Sequence, residues 1–166
     1  MSQAEDKNRF VKLVHDNQAI IHKICHVYCN NADDKQDLYQ EITLQLWKSF
    51  PGFQGKSGFS TWMYRIALNT AITMTKKMKF FEDIEANPEV FKKYDFESDT
   101  ERNDDICLLY NAINQLNKIE KAIILLWLEE KSYGEIADIT GLTVKNVSVK
   151  LVRVKNKLGE IIQKLQ

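Results

Sequence analysis

A chain of 166 residues is long enough for one domain or two small ones, each with a modest core. Three cysteines, with no apolar run near the roughly 18 residues of a membrane span, exclude a disulfide scaffold and membrane insertion, and point to a soluble protein in a reducing compartment. Formal net charge is zero, but the sum conceals segregation: residues 1–80 hold 11 basic and 7 acidic side chains, residues 81–107 hold 3 and 10, and residues 108–166 hold 9 and 6. Two prolines, six glycines and no sustained alternating pattern predict an all-α fold. The charge blocks divide it into an N-terminal helical domain (1–80), an acidic flexible linker (81–107) and a C-terminal helical domain (108–166).

The opening stretch MSQAEDKNRFVKLVHDN has no apolar segment of an export signal, so a cytoplasmic location is expected. In HKICHVYC, His22, Cys25, His26 and Cys29 share one side of a helix, and such side chains bind zinc when deprotonated. One straight helix rarely wraps four ligands around an ion, and cysteines are often simply buried, so no metal or other cofactor is assigned. No nucleophile–base pattern accompanies them either, and a non-enzymatic role follows.

Next comes DDKQDLYQEITLQLWKSF, a helix that buries Leu38, Ile42, Leu46 and Phe50. It presents Asp37, Gln40, Glu41, Leu44 and Lys48 outward, and an apolar Leu44 among polar groups suits protein docking. From Ile42 to Phe81 there is no Asp or Glu, whereas Lys48, Lys56, Arg65, Lys76, Lys77 and Lys79 lie within, an electrostatic footprint for phosphate. The loop FPGFQGKSGF, with Phe50, Phe53 and Phe59, can fold around a single base. The helix in SGFSTWMYRIALNTAITMTKK follows, with Met63, Ile66, Ala67 and Thr70 on one side and Trp62, Arg65, Asn69 and Lys76 on another. An aromatic, an amide and cations on one acid-free face suit unstacked bases and their phosphates. Phe50, Phe59 and Trp62 have core packing as their other reading.

The acidic stretch FEDIEANPEVFKKYDFESDTERNDD holds a proline and lacks a helical stripe, as a linker would. After it, Leu109, Ile113, Leu116, Ile119, Ile123, Leu126 and Trp127 form the core of two supporting helices, with a break near 116–118. In SYGEIADITGLTVKNV, Ser132 and Glu135 make a capping box, Gly141 supplies a sharp turn and Thr143 caps the next helix. Short helix, glycine turn and longer helix are the order of a helix-turn-helix, whose second helix enters the major groove. Along that helix Val144, Val147, Leu151, Val154 and Leu158 form the core stripe. Val149 and Val152 fall on the opposite side with Lys145, Arg153 and Asn156, flanked by Asn146, Ser148, Lys150, Lys155 and Lys157. Cations on phosphates and small apolar groups on thymine methyls would explain the exposed valines. Cover by another helix or by a second copy is the alternative for the same face.

These segments together resemble the small extracytoplasmic-function (ECF) group of bacterial sigma factors, over residues 10–80 and 108–162. DLYQE at 37–41 looks like the family's D-x-x-Q-E helix, and FQGKSGFSTWMYRIALNTA is similar to F-x-G-x-S-x-F-x-T-W-L-Y-R-I-A-x-N. SYGEIADITGLTVKNVSVKLVRVKNKL resembles the family's −35 reader, but Val147–Lys155 departs from the usual V-K-S-R-L-x-R-A-R, which leaves the promoter sequence open. The resemblance implies that Asp37, Gln40, Glu41, Leu44 and Lys48 dock on core RNA polymerase, at the β′ clamp helices, with further contact to the β subunit. It implies that Phe53, Lys56, Phe59, Trp62, Arg65, Asn69 and Lys76 open and read the −10 element, Trp62 wedging at the melted edge. Lys145, Asn146, Ser148, Val149, Lys150, Val152, Arg153 and Lys157 would read the −35 duplex, and the acidic linker would thread through polymerase. An anti-sigma factor is the expected further partner. A free-standing helix-turn-helix regulator with an N-terminal sensing or dimerisation domain, and a metal- or redox-responsive protein, are the competing readings.

Overall fold

The computed structural model describes residues 2–84 and 104–166, the side chains of 76–84 excepted. Every regular element among the described residues is helical, as composition and periodicity predict. The chain divides into two compact units, Met1–Met78 and Lys79–Gln166.

The first unit comprises α1 (Gln3–Asp16), α2 (Gln18–Tyr28), α3 (Ala32–Ser49), a 3-10 turn (Phe50–Gly52) and most of α4 (Phe59–Ile84). Its helices begin where side chains satisfy otherwise unpaired backbone N–H groups. Ser2 and Glu5 form a reciprocal capping box on α1, and Asn31 Oδ1 accepts from the Asp34 N–H at 2.7 Å on α3. Asp33 and Asp34 add favourable charge at the α3 N-terminus. Pro51, in the 3-10 turn, cannot prolong α3. Helix α2 packs on α3, and the core is built from Ile21, Ile24, Leu38, Ile42, Leu46 and Met63, none of which has exposed surface. Each such side chain contributes about 1.5–3 kcal/mol of transfer free energy.

On α4 the buried stripe is Met63, Tyr64, Ala67, Leu68 and Ala71, rotated from the Met63, Ile66, Ala67 and Thr70 stripe read from sequence. Ala67 and Ala71 are fully buried with Tyr64 and Leu68 beside them, and Thr70, half-buried, donates its hydroxyl to the Ile66 carbonyl at 2.8 Å. The helix also continues to Ile84, past the 80/81 boundary drawn from charge. Residues 85–103, most of the expected linker, lie outside the described residues.

In the second unit are α5 (Asp104–Ile113), α6 (Lys118–Leu128), α7 (Tyr133–Thr140) and α8 (Val144–Leu165). Helix α8 packs against α5, α6 and α7, and α6 also against α7. Because α6 is covered by two neighbours, it buries five consecutive residues, Ala122–Leu126, rather than a narrow stripe. Of the residues expected in the core, Leu109 is only half-buried and three are exposed: Ile119 at 43%, Trp127 at 37% and Val144 at 52%. All three sit in the first or last turn of a helix. Ile124 and Leu125 take their place, at 0% and 3%. Among the described residues no helix is long and apolar enough to cross a membrane.

Candidate nucleic-acid interface

The turn between α7 and α8 is built locally. Ser132 Oγ accepts from the Glu135 N–H at 3.1 Å, and Glu135 Oε2 accepts from the Ser132 N–H at 3.0 Å. Gly141 ends α7 at φ +78°, ψ 6°, its N–H donating to the Ala137 carbonyl at 2.9 Å. Left-handed backbone of this kind favours glycine. Two residues later Thr143 Oγ1 accepts from the Asn146 N–H at 3.1 Å and starts α8. Val147, Leu151, Val154 and Leu158 then face the core, and the opposite side carries Lys145, Val149, Val152, Arg153 and Asn156, all exposed. The valines singled out from sequence do face outward, at 44% and 56% exposure, and no described helix covers them. Asn146 and Lys150 are exposed beside them and Ser148 is half-buried.

The C-terminal half of α8 differs. Lys157 Nζ lies 3.0 Å from both carboxylate oxygens of Glu120 on α6, and Lys155 Nζ sits 4.1 Å above the Trp127 ring. Sequence periodicity gave neither contact.

In the first unit, Asp37, Gln40, Leu44 and Lys48 form the exposed side of α3, with Leu44 43% exposed. Trp47, which the sequence reading passed over, is 37% exposed beside them, one edge packed on Phe10 at a centroid distance of 5.0 Å. Its i, i+3 spacing from Leu44 was the available signal. Glu41 is half-buried and accepts from Gln45 Nε2 at 2.8 Å. It lines a groove of about 520 Å³ with Gln45, Asn69, Thr70, Thr73 and Met74. That groove brings together Glu41 and Asn69, which the sequence reading gave to different partners.

The aromatic loop closes on itself. Phe53, Phe59 and Trp62 form a triangle with centroid distances of 5.6, 5.0 and 5.4 Å, each ring half-buried. Phe50 is core, 6% exposed, with the Arg9 guanidinium 5.7 Å from its centroid. Lys56 and the left-handed Gly55 lie exposed in the loop, and Arg65 and Asn69 lie exposed on α4. The Lys76 side chain is outside the described ones. Edge and tilted ring contacts of this kind add about 0.5–1.5 kcal/mol beyond area burial.

The histidine–cysteine stretch is not drawn into a metal-binding group among the described residues. His22 packs on the Tyr39 ring at 4.9 Å, and Cys25 and Cys29 are buried. Burial, reinforced by neighbouring Cys29, pushes the Cys25 thiol up to about 12, so it is held protonated. Burial, with Lys35 nearby, pulls His26 down to about 4.

Comparison with known proteins bears on both units. Residues 13–80 match the family Sigma-70 region 2, and residues 108–158 match Sigma-70, region 4. The ECF RNA polymerase sigma-E factor of Haemophilus influenzae is 31% identical, the alignment covering 98% of this chain and 92% of that protein. The ECF RNA polymerase sigma factor SigW of Bacillus subtilis is 27% identical over 96% and 92% of the two chains. The fold is shared with the sigma factor RpoE crystallised with the anti-sigma factor NepR from Bartonella quintana, at a TM-score of 0.69 and 19% identity over 95% of this chain and 96% of that one. It is shared also with CnrH in complex with the cytosolic domain of CnrY, at 0.67 and 18% over 95% and 90%. A free-standing regulator is disfavoured, because likeness to polymerase sigma factors runs through both units rather than the helix-turn-helix alone. The chain belongs to the ECF RNA polymerase sigma factors.

Proposed function

We propose that this sigma factor divides promoter recognition between its two units, the second reading the −35 duplex and the first melting and reading the −10 element while holding core polymerase. The observation that carries the reading is the outward face of α8, where two exposed valines lie among exposed Lys145, Lys150 and Arg153 behind a capped, glycine-turned entry. An unpartnered apolar pair within a cationic face fits a major groove, with Lys145, Lys150 and Arg153 on phosphates and base edges. Val149 and Val152 would touch thymine methyls, and Asn146 and Ser148 would hydrogen-bond beside them.

In the first unit, Asp37, Gln40, Glu41, Leu44 and Lys48 would dock on the β′ clamp helices, with Trp47 enlarging the apolar centre. The β subunit is the expected further contact. Phe53, Phe59 and Trp62 would part to admit an unstacked base, exchanging ring–ring contact for base stacking worth about 1–3 kcal/mol. Lys56, Arg65, Asn69 and Lys76 would line the single strand. The role is recognition and strand opening, with bond-making left to polymerase. Working with polymerase places it in the cytoplasm. One solved neighbour is a sigma factor in complex with an anti-sigma factor, and a partner of that kind is proposed here too. Run-off transcription with core RNA polymerase on fragmented genomic DNA tests the whole. New discrete start sites that vanish on Trp62→Ala and on Gln40→Ala are expected, whereas tight duplex binding without new starts would overturn the reading.

A further inference from the structure

Helix α8 carries six cations, Lys145, Lys150, Arg153, Lys155, Lys157 and Lys164, and the fold treats them unequally. Lys145, Lys150 and Arg153 are exposed and make no ion pair among the described residues. Lys157 donates to both oxygens of Glu120 at 3.0 Å, across 37 positions of sequence. Glu120 is fixed: its N–H donates to Asn117 Oδ1 at 2.9 Å, and Asn117 Nδ2 donates to its Oε1. Its side chain is only 18% exposed, against 48% for Lys157. The carboxylate is thus part of the α6 cap, and the lysine comes to it.

We infer that Glu120 is an intramolecular stand-in for a DNA phosphate, which retains Lys157 on α6 and withholds that cation from duplex docked along α8. The inference rests on the reading of α8 as the duplex-facing helix. Two oxygens at hydrogen-bond distance present Lys157 with what a phosphate would, already in place and without the cost of bringing in a second molecule. A lysine neutralised in this way releases no DNA counterion, so it adds nothing to the salt-dependent part of affinity. Sequence-independent binding is made mostly of such cation–phosphate contacts. Removing one in the C-terminal half of α8 lowers binding to arbitrary DNA while leaving Lys145, Val149, Val152 and Arg153 to discriminate sequence. Glu120 is a positioning residue whose effect passes through Lys157.

The test uses the full chain and a mixed-sequence duplex of about 40 base pairs, with fluorescence anisotropy read from about 25 to 200 mM salt. Glu120→Gln keeps an oxygen acceptor for the Asn117 amide and should leave helicity by circular dichroism unchanged. It is expected to steepen the salt slope of log K by about 0.9, one additional phosphate, and to tighten binding about three- to fivefold at the lowest salt. Lys157→Gln placed in the Glu120→Gln background should remove that gain. A Glu120→Gln slope equal to the native one, or a gain that survives loss of Lys157, overturns the inference. Lys145→Gln with Arg153→Gln should flatten the native slope by about 1.8. If it does not, or if no chain binds, the underlying assignment of α8 to DNA fails instead, independently of the ion pair.

Discussion

The same substitution, glycine to alanine, should have opposite signs at two positions of the second unit. Gly141 sits at φ +78° with nothing within 4 Å of where a Cβ would stand, so the whole cost there is backbone strain. Left-handed backbone costs an L-residue about 1–2 kcal/mol, and the lower entropy of the unfolded alanine chain returns about 0.4–1. Gly141→Ala should therefore destabilise by about 1 kcal/mol. Gly141→Asn should cost less, because its short polar side chain tolerates this region, and Gly141→Val more. Gly159 lies in the body of α8 with equally open space around it and no positive φ. There helix propensity and chain entropy act in the same direction, and Gly159→Ala should stabilise by about 0.5–1 kcal/mol. For a unit of this size, 1 kcal/mol corresponds to roughly 4–8 °C in Tm. Thermal unfolding followed by Trp127 fluorescence, in a Trp47→Phe, Trp62→Phe background, reports on the second unit alone. Shifts of the same sign at the two glycines, or asparagine worse than alanine at 141, would refute the reasoning.

Burial of His26 makes the first unit sensitive to mild acid. Its folded pKa, about 4, lies below the ordinary 6.5, so between those values the unfolded chain takes up a proton that the folded one refuses. Stability is then full above about pH 6.5 and falls as pH drops towards 4, by at most about 2 kcal/mol after allowing for solvent screening of a partly exposed ring. Urea midpoints at pH 7.5 and 5.0 check this, and His26→Gln should reduce the difference between them. Ile123, with no exposed surface where α6 is packed by α7 and α8, should lose about 2–5 kcal/mol on truncation to alanine, read as a lower urea midpoint with unchanged slope. Leu44→Asp, at a position 43% exposed, should leave the melting temperature nearly unchanged yet weaken association with core polymerase at least tenfold in a pull-down titration. A variant that melted early would instead mark Leu44 as part of the fold.

Much of the helix-turn-helix was legible because its determinants are local. The Ser132–Glu135 box, Gly141 and the Thr143 cap each act across no more than four residues, and the amphipathic register of α8 follows from its spacing. The same logic exposed Val149 and Val152 correctly and failed at Val144, Ile119 and Trp127. Periodicity assigns a direction around the helix axis, but burial in a terminal turn depends on where the neighbouring helix stops. On α4 the buried stripe keeps Met63 and Ala67 but turns towards Tyr64, Leu68 and Ala71, leaving Ile66 and Thr70 half-buried.

What the amino-acid order determined by itself was a set of capped helices, their core-facing stripes and an acid-free stretch from Ile42 to Phe81, all properties of near neighbours in the chain. Only the tertiary structure decided which charges and rings remain available. It placed Lys157 on Glu120, 37 residues away, laid Lys155 over Trp127, closed Phe53, Phe59 and Trp62 into one cluster, and set Glu41 and Asn69 around one groove. The ring cluster depends on how the loop after the 3-10 turn folds back on the first turn of α4, and the other pairings on how two helices pack, which is set by whole side-chain surfaces together rather than by any residue in isolation.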